Sequence, residues 1–166
     1  AILGSTGSVG KQSLEVARLH NFKIDLLASH SSVDEIERQA REFLPKICVL
    51  TSIDAAKELK ERLLDTDIKV FGGEDELIKA IEDSSAKTAV NAISGFAGLA
   101  PAIACARSGK RIAMSNKEAI VIAYRLLKQE IDKNNAVGFV AVAENAKKAQ
   151  KKCKFFWKRY RLFFFI

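Results

Sequence analysis

A short apolar run, a helix-like stretch, then another short apolar run: the chain repeats this alternation from residue 1 to residue 142, and it leaves few folds open. The apolar runs at residues 1–3, 22–28, 47–50, 68–71, 88–93, 111–114 and 137–142 read as strands. The stretches 11–19, 33–44, 54–64, 74–81, 99–107 and 118–131 carry apolar residues at helical spacing. Strands separated by helices pair in parallel, because each crossover returns the chain to the same edge of the sheet. The expected fold is α/β: a doubly wound, mainly parallel Rossmann-like sheet with helices on both faces. Punctuation residues fit that reading. Ser32 with Glu35 has capping-box spacing before the second helix, and Pro45 closes it. Asp54 is placed to cap the third helix, Gly109 to end the fifth and Asn134-Asn135 the sixth. There is no internal repeat and no Pro/Gly/Ser-rich linker.

Composition narrows the class. No stretch reaches the roughly 18 consecutive apolar residues of a membrane span. The first residues lack the basic start of a secretory signal, and the absence of an initiating Met suggests a reading frame that opens further upstream. Cys48, Cys105 and Cys153 are odd in number, far apart and without metal spacing. That suits a reducing compartment, with Cys48 and Cys105 as buried thiols. The net charge of +7 is concentrated at one end. Residues 147–166 hold eight of the 27 basic side chains and no acid, which leaves residues 1–146 with nineteen basic against twenty acidic groups. The body is nearly neutral and carries no nucleic-acid footprint.

Ligands of doubly wound sheets bind beyond the carboxyl ends of the strands. The loop after the first strand reads G-S-T-G-S-V-G, with Gly4, Gly7 and Gly10 at every third position. It is a variant of the dinucleotide fingerprint: glycine permits the tight turn and lets a diphosphate approach the backbone and the next helix's free N–H groups. Thr6 and Ser8 add hydroxyls. The competing reading is a structural tight turn. After the second strand an NAD-selecting domain usually places an acid on the ribose. Here that place holds His30, Ser31 and Ser32, with Asp34 and Glu35 already in the next helix. An acid-free loop of hydroxyls and an imidazole suits a 2′-phosphate, so NADP is expected; a plain surface role for His30 stays open. At the end of another strand, Asn116, Lys117 and Glu118 open a helix. Asn and Glu fit helix capping, but a cation at a helix N-terminus is misplaced unless an anion or hydroxyl lies nearby.

Taken together, "ILGSTGSVG", "AISGFAGLAPAIACARSGKRIAMSNKEAIV" and their separation resemble the 1-deoxy-D-xylulose-5-phosphate reductoisomerase family over residues 1 to about 136. The resemblance implies an NADPH-dependent oxidoreductase and isomerase of non-mevalonate isoprenoid synthesis, acting in the cytoplasm or the plastid stroma. It implies that Thr6, Gly7, Ser8 and Val9 meet the NADPH diphosphate. It further implies that Asn116 and Glu118 lie on the cofactor and that Lys117 binds the substrate. In the family the Ser29-to-Ser32 loop recognises the adenosine ribose phosphate; His30, Ser31 and Ser32 stand there in this chain. The implied reaction rearranges 1-deoxy-D-xylulose 5-phosphate and reduces it to 2-C-methyl-D-erythritol 4-phosphate, with Mg or Mn chelating substrate oxygens. The resemblance also implies dimers in the family, an assembly that is not carried over to this chain.

The pattern then stops. The family continues into a Pro-Val-Asp-Ser-Glu strand whose acids bind the metal. Here Glu144 matches one acid, while Val142 replaces the other and Ala143 the serine. One carboxylate is too few for a hard cation, so Glu144 also reads as a surface acid, metal binding by this chain is not expected, and no catalytic residue is assigned. The expected organisation is a cofactor domain at 1–136, a degraded link at 137–146 and a basic-aromatic tail at 147–166. The tail holds seven of thirteen aromatics. It could face an anionic membrane, stack on nucleic acid, or be a non-native product of out-of-frame translation, since AAA encodes Lys and TTT encodes Phe. The last reading explains why the break coincides with the loss of the family pattern. It leads to the expectation of a fragment that is catalytically incomplete, with neither nucleic acid nor membrane as partner. The alternatives are the first domain of another NADP-dependent dehydrogenase, or a non-catalytic binding module that uses the tail.

Overall fold

The computed structural model describes residues 1–115 and 117–140. Seven strands form one parallel sheet: β1 (Ile2–Leu3), β2 (Leu26–Ser29), β3 (Ile47–Leu50), β4 (Lys69–Gly72), β5 (Thr88–Asn91), β6 (Arg111–Met114) and β7 (Val137–Val140). Their order is β4-β3-β2-β1-β5-β6-β7. The chain therefore winds outward from β1 in one direction as far as β4. It then crosses back to β5, on the other side of β1, and winds outward again. The reversal between β1 and β5 opens the crevice where doubly wound sheets take their ligands.

The helices α1 (Ser8–Leu19), α2 (Val33–Phe43), α3 (Ile53–Arg62), α4 (Glu74–Asp83), α5 (Leu99–Arg107) and α6 (Lys117–Lys133) divide between the two faces. Strand residues alternate in direction, and this builds two cores. Ile2, Leu27, Cys48 and Leu50 pack with α1, α2 and α3 through Leu14, Ile36 and Leu59. Leu3, Leu26, Val49, Ala89 and Ile112 pack with α4, α5 and α6 through Ile81, Ala102 and Leu127. Leu3, Leu26, Leu50, Leu59 and Ile112 are fully buried, each contributing about 1.5–3 kcal/mol of apolar transfer. The outer strand β4 alternates between exposed and half-buried positions, as an edge strand must. Among the described residues no helix is long and apolar enough to cross a membrane.

The α/β reading and the alternation hold, and the local punctuation needs three corrections. β2 begins at Leu26 rather than at residue 22: Asn21 turns the chain at φ 53°, and Phe22 is left exposed, stacked on His20. The Ser32 side chain makes no cap hydrogen bond. Its intended partner Glu35 instead accepts from Arg38 at 2.6 Å and from Gln39 at 3.0 Å, so the carboxylate does not fold back to form a capping box. At α3 the cap is Ser52, whose Oγ accepts from the Ala55 N–H, while Asp54 lies inside the helix and pairs with Lys57. The end of α5 holds as expected: Ser108 is the last half-helical residue, and Gly109 follows it in the left-handed region at φ 66°. Two further expectations hold. Leu44, just before Pro45, ends α2 in the left-handed region, and Asn135 does the same after α6. Of the link expected at 137–146, residues 137–140 form β7 of the same sheet; the rest of it and the tail at 147–166 lie outside the described residues.

Candidate functional site

The three glycines of the first turn do three different jobs. Gly4 leaves β1 at φ 81°, and a Cβ there would lie 2.8 Å from the Ala92 carbonyl oxygen of the neighbouring β5 loop. Its N–H and that of Ser5 both donate to Ala28 O at 2.8 Å, which bends the turn over β2. Gly10 lies against the turn from inside α1: a Cβ there would lie 2.2 Å from Gly4 O and 2.7 Å from Ser5 Cα. Helix and strand can approach this closely only without that side chain. Gly7 differs from both. Its φ of −75° suits any residue, and a Cβ would meet nothing nearer than Gly4 O at 3.5 Å. Among the described residues no contact or backbone angle requires glycine at position 7.

α1 begins immediately after Gly7. Among the described residues no backbone carbonyl accepts from the N–H of Thr6, Ser8 or Val9. The first turn of α1 holds no acidic side chain, so the positive end of the helix is uncompensated. Ser8 is exposed and Val9 half-buried at the C-terminal edge of the sheet. The Thr6 hydroxyl is 2.7 Å from Ser29 Oγ, joining the turn to the end of β2.

The next loop stands beside it. His30, Ser31 and Ser32 are all exposed. His30 Nδ1 is 2.7 Å from Thr51 Oγ1 at the end of β3, which fixes one ring nitrogen and leaves Nε2 for another partner. The acids that follow are engaged elsewhere: Asp34 accepts from Arg62 at 2.6 Å and Glu35 from Arg38 at 2.6 Å. No carboxylate of the first α2 turn lies unpaired at this loop.

Across the switch point, Asn91 ends β5 fully buried. Its Nδ2 donates to Gly98 O at 2.7 Å and its Oδ1 accepts from the Ile93 N–H at 3.3 Å, so one side chain closes the loop between β5 and α5. Its carbonyl accepts from the Ser115 N–H at 3.1 Å and from Ser115 Oγ at 3.3 Å, holding the end of β6 to β5. Lys117 opens α6 from that end of β6, with Glu118 in its first turn. Asn116 and Glu144 lie outside the described residues. Among the described residues no group of three or more His, Cys, Asp or Glu side chains could hold a metal ion. Cys48 and Cys105 are buried, and burial pushes both thiols up to about 12, so neither is a nucleophile at neutral pH.

The structure thus brings Gly4, Thr6, Gly7, Ser8, Val9, Gly10, His30, Ser31 and Ser32 to one edge, with the backbone of Lys117 and Glu118 on the same edge two strands away. Ser29, the first residue of the loop named from the sequence, joins them, as do Thr51 and Asn91, which the sequence reading did not name. Each is a polar residue at or just past the end of an apolar run, which is the signal that was available.

A parallel doubly wound sheet with a glycine turn and a bare helix N-terminus at its switch point defines a Rossmann-like α/β domain. Comparison with known proteins takes this one step further. Residues 1–124 match the family described as 1-deoxy-D-xylulose 5-phosphate reductoisomerase, and the chain belongs to that family. It is 38% identical over 146 residues to the reductoisomerase of Ruminiclostridium cellulolyticum, covering 88% of this chain and 38% of that protein. It is 45% identical over 122 residues to that of Desulfitobacterium hafniense, covering 72% of this chain and 32% of that protein. Among solved structures, a DOX-P reductoisomerase in complex with NADPH, fosmidomycin and magnesium superposes with a TM-score of 0.79 at 36% identity. That match covers 84% of this chain and 35% of that one. The Zymomonas mobilis enzyme in complex with NADPH gives 0.79 at 28% identity, over 84% of this chain and 37% of that one. This chain spans about a third of the length of these relatives.

Proposed function

We propose that this chain is the NADPH-binding part of a reductoisomerase that converts 1-deoxy-D-xylulose 5-phosphate to 2-C-methyl-D-erythritol 4-phosphate. The observation that carries the reading is Gly7: a glycine that the fold does not need, set among N–H groups that the fold does not use. A close-lying anion accounts for both. On this reading the N–H groups of Thr6, Ser8 and Val9 and the hydroxyls of Thr6 and Ser8 hold the diphosphate. The Ser31 and Ser32 hydroxyls and His30 Nε2 receive the 2′-phosphate, in a loop from which Arg62 and Arg38 draw the nearby carboxylates away. As the family resemblance implies, Asn116 and Glu118 lie on the cofactor, and Lys117 donates to a substrate hydroxyl. When bound, NADPH supplies the hydride for the reductive step. The described residues do not fit a divalent metal, and no step of this chain is assigned to one. The chain alone binds the reductant and turns nothing over.

Calorimetric titration with NADPH and NADH tests this reading. NADPH is expected to bind at least about tenfold more tightly, since only it offers the 2′-phosphate for charge-assisted hydrogen bonds. Equal affinity would remove the assignment of the loop at 30–32, and absence of binding by either would remove the function. Oxidation of NADPH by the chain in the presence of 1-deoxy-D-xylulose 5-phosphate would contradict its catalytic incompleteness.

A further inference from the structure

The buried face of α2 presents Val33, Ile36 and Ala40 to the core, and among them Gln39, which is fully buried. A primary amide in such a place is costly unless its polar atoms are bonded. Gln39 Nε2 makes two hydrogen bonds, donating to the Ser5 carbonyl oxygen and to Glu35 Oε1, each at 3.0 Å. Both partners are pure acceptors, so the amide nitrogen faces them; the flipped amide would set an oxygen against two oxygens. Glu35 is held in turn by Arg38 at 2.6 Å and by Lys11 of α1 at 3.6 Å.

The Ser5 carbonyl belongs to the peptide that joins Ser5 to Thr6. Every peptide bond in the described chain is trans, and in a trans peptide the C=O and N–H point in opposite directions. Drawing the Ser5 oxygen toward α2 therefore turns the Thr6 N–H away from α2. That N–H is one of those without a backbone acceptor. The arrangement has a cost, because Gln39 Oε1 and Ser5 Oγ are both buried without a hydrogen-bond partner. An apolar residue at position 39 would remove the unpaired Oε1 but leave the Ser5 carbonyl without its donor, so the amide is explained by its hold on that carbonyl rather than by packing.

We propose that Gln39 is a positioning residue for the anion-binding turn: through the Ser5–Thr6 peptide it sets the direction of the Thr6 N–H toward the diphosphate. This rests on the NADPH reading above and names the group that preorganises it. α2 also follows directly from the loop at 30–32, so the same side chain ties the diphosphate turn to the helix that carries the 2′-phosphate loop.

The test compares the wild-type chain with Gln39→Met and Gln39→Leu, which approximate the volume and remove the donor. The readouts are the melting temperature, the NADPH dissociation constant and the amide resonance of Thr6. At least one variant is expected to melt within about 4 °C of wild type, to bind NADPH about tenfold more weakly and to show a displaced Thr6 amide in the ligand-free state. Unchanged NADPH affinity in a folded variant overturns the proposal, because a merely structural role would lower the melting temperature alone. If neither variant folds, the wild-type spectrum decides: NADPH must shift the Gln39 Nε2 protons, and unmoved protons overturn the proposal. Absence of NADPH binding by the wild-type chain overturns the function reading and this proposal with it. Equal binding by wild type and a folded variant overturns this proposal alone.

Discussion

Where the strands begin, the Asp25 carboxylate accepts from Ser84 Oγ at 2.7 Å, from the Ser85 N–H at 2.8 Å and from Ser85 Oγ at 2.9 Å, and it pairs with Lys46 at 3.0 Å. Where the strands end, the N–H groups of Thr6, Ser8 and Val9 meet no backbone acceptor among the described residues. The lower edge joins residues that precede β2, β3 and β5, and the buried Lys110 adds a hydrogen bond to Ser84 O at 2.7 Å. Polar groups satisfied by one another hold a sheet together. On the proposed function, the polar groups left open beside the switch point are those that meet the ligand. On that reading, the two edges of one sheet divide stability from binding.

The sharpest break in that division lies at Gly10, an upper-edge residue that the fold itself requires. Gly10→Val drives a side chain into Gly4 O and Ser5 Cα. It is expected to cost more than about 4 kcal/mol in urea unfolding, the range of severe overpacking and backbone strain. Stability near wild type would contradict the close helix–strand approach. Gly7→Val three residues earlier should do the opposite. The folded chain tolerates it, with less than about 1 kcal/mol lost through the poorer N-cap. NADPH affinity should nevertheless fall about 100-fold, roughly 2.7 kcal/mol, as measured by calorimetry.

Asp25→Asn sharpens the comparison from below. Burial opposes ionisation of Asp25, but hydrogen bonds from Ser84, Lys46 and Ser85 outweigh it and hold the carboxyl at about 2, against the usual 3.8. A depressed carboxyl stabilises the fold fully above its unfolded value, and the benefit is lost as pH falls from about 4 through 2. The variant should lose about 1–2 kcal/mol at pH 7 after allowance for solvent screening. The difference from wild type should close as the pH approaches 2, and NADPH affinity at pH 7 should not change. The smallest effect is expected at Lys57→Ala. Its pair with Asp54 at 3.1 Å joins two exposed side chains, and the unfolding midpoint should not move measurably.

The alternation of apolar runs and helices was readable because side-chain period is local, and it carried the fold class. The glycine turn was readable for the same reason: Gly4, Gly7 and Gly10 fall within one turn of chain. The partners of that turn and of its neighbouring loop were not, because they come from other elements of the fold. The Thr6 contact with Ser29, the His30 contact with Thr51 and the Gln39 contact with Ser5 each join residues more than twenty positions apart, and their meeting depends on register. Gln39 on α2 reads in sequence like a solvent-facing polar residue, and only the structure shows it buried beside the Ser5 carbonyl of the turn after β1. The expected Ser32–Glu35 box failed through competition: Arg38 and Gln39 lie one helical turn from Glu35 and take its carboxylate first.

The most direct measurement is an amide footprint of the isotopically labelled chain titrated with NADPH. The expected shifts fall on the upper edge, at Thr6, Ser8 and Val9 and at residues 30–32, while the amides of Asp25, Ser84 and Ser85 on the lower edge stay in place. Shifts concentrated on the lower edge, or a spectrum unchanged at saturating NADPH, would contradict the division of the sheet into a holding edge and a binding edge.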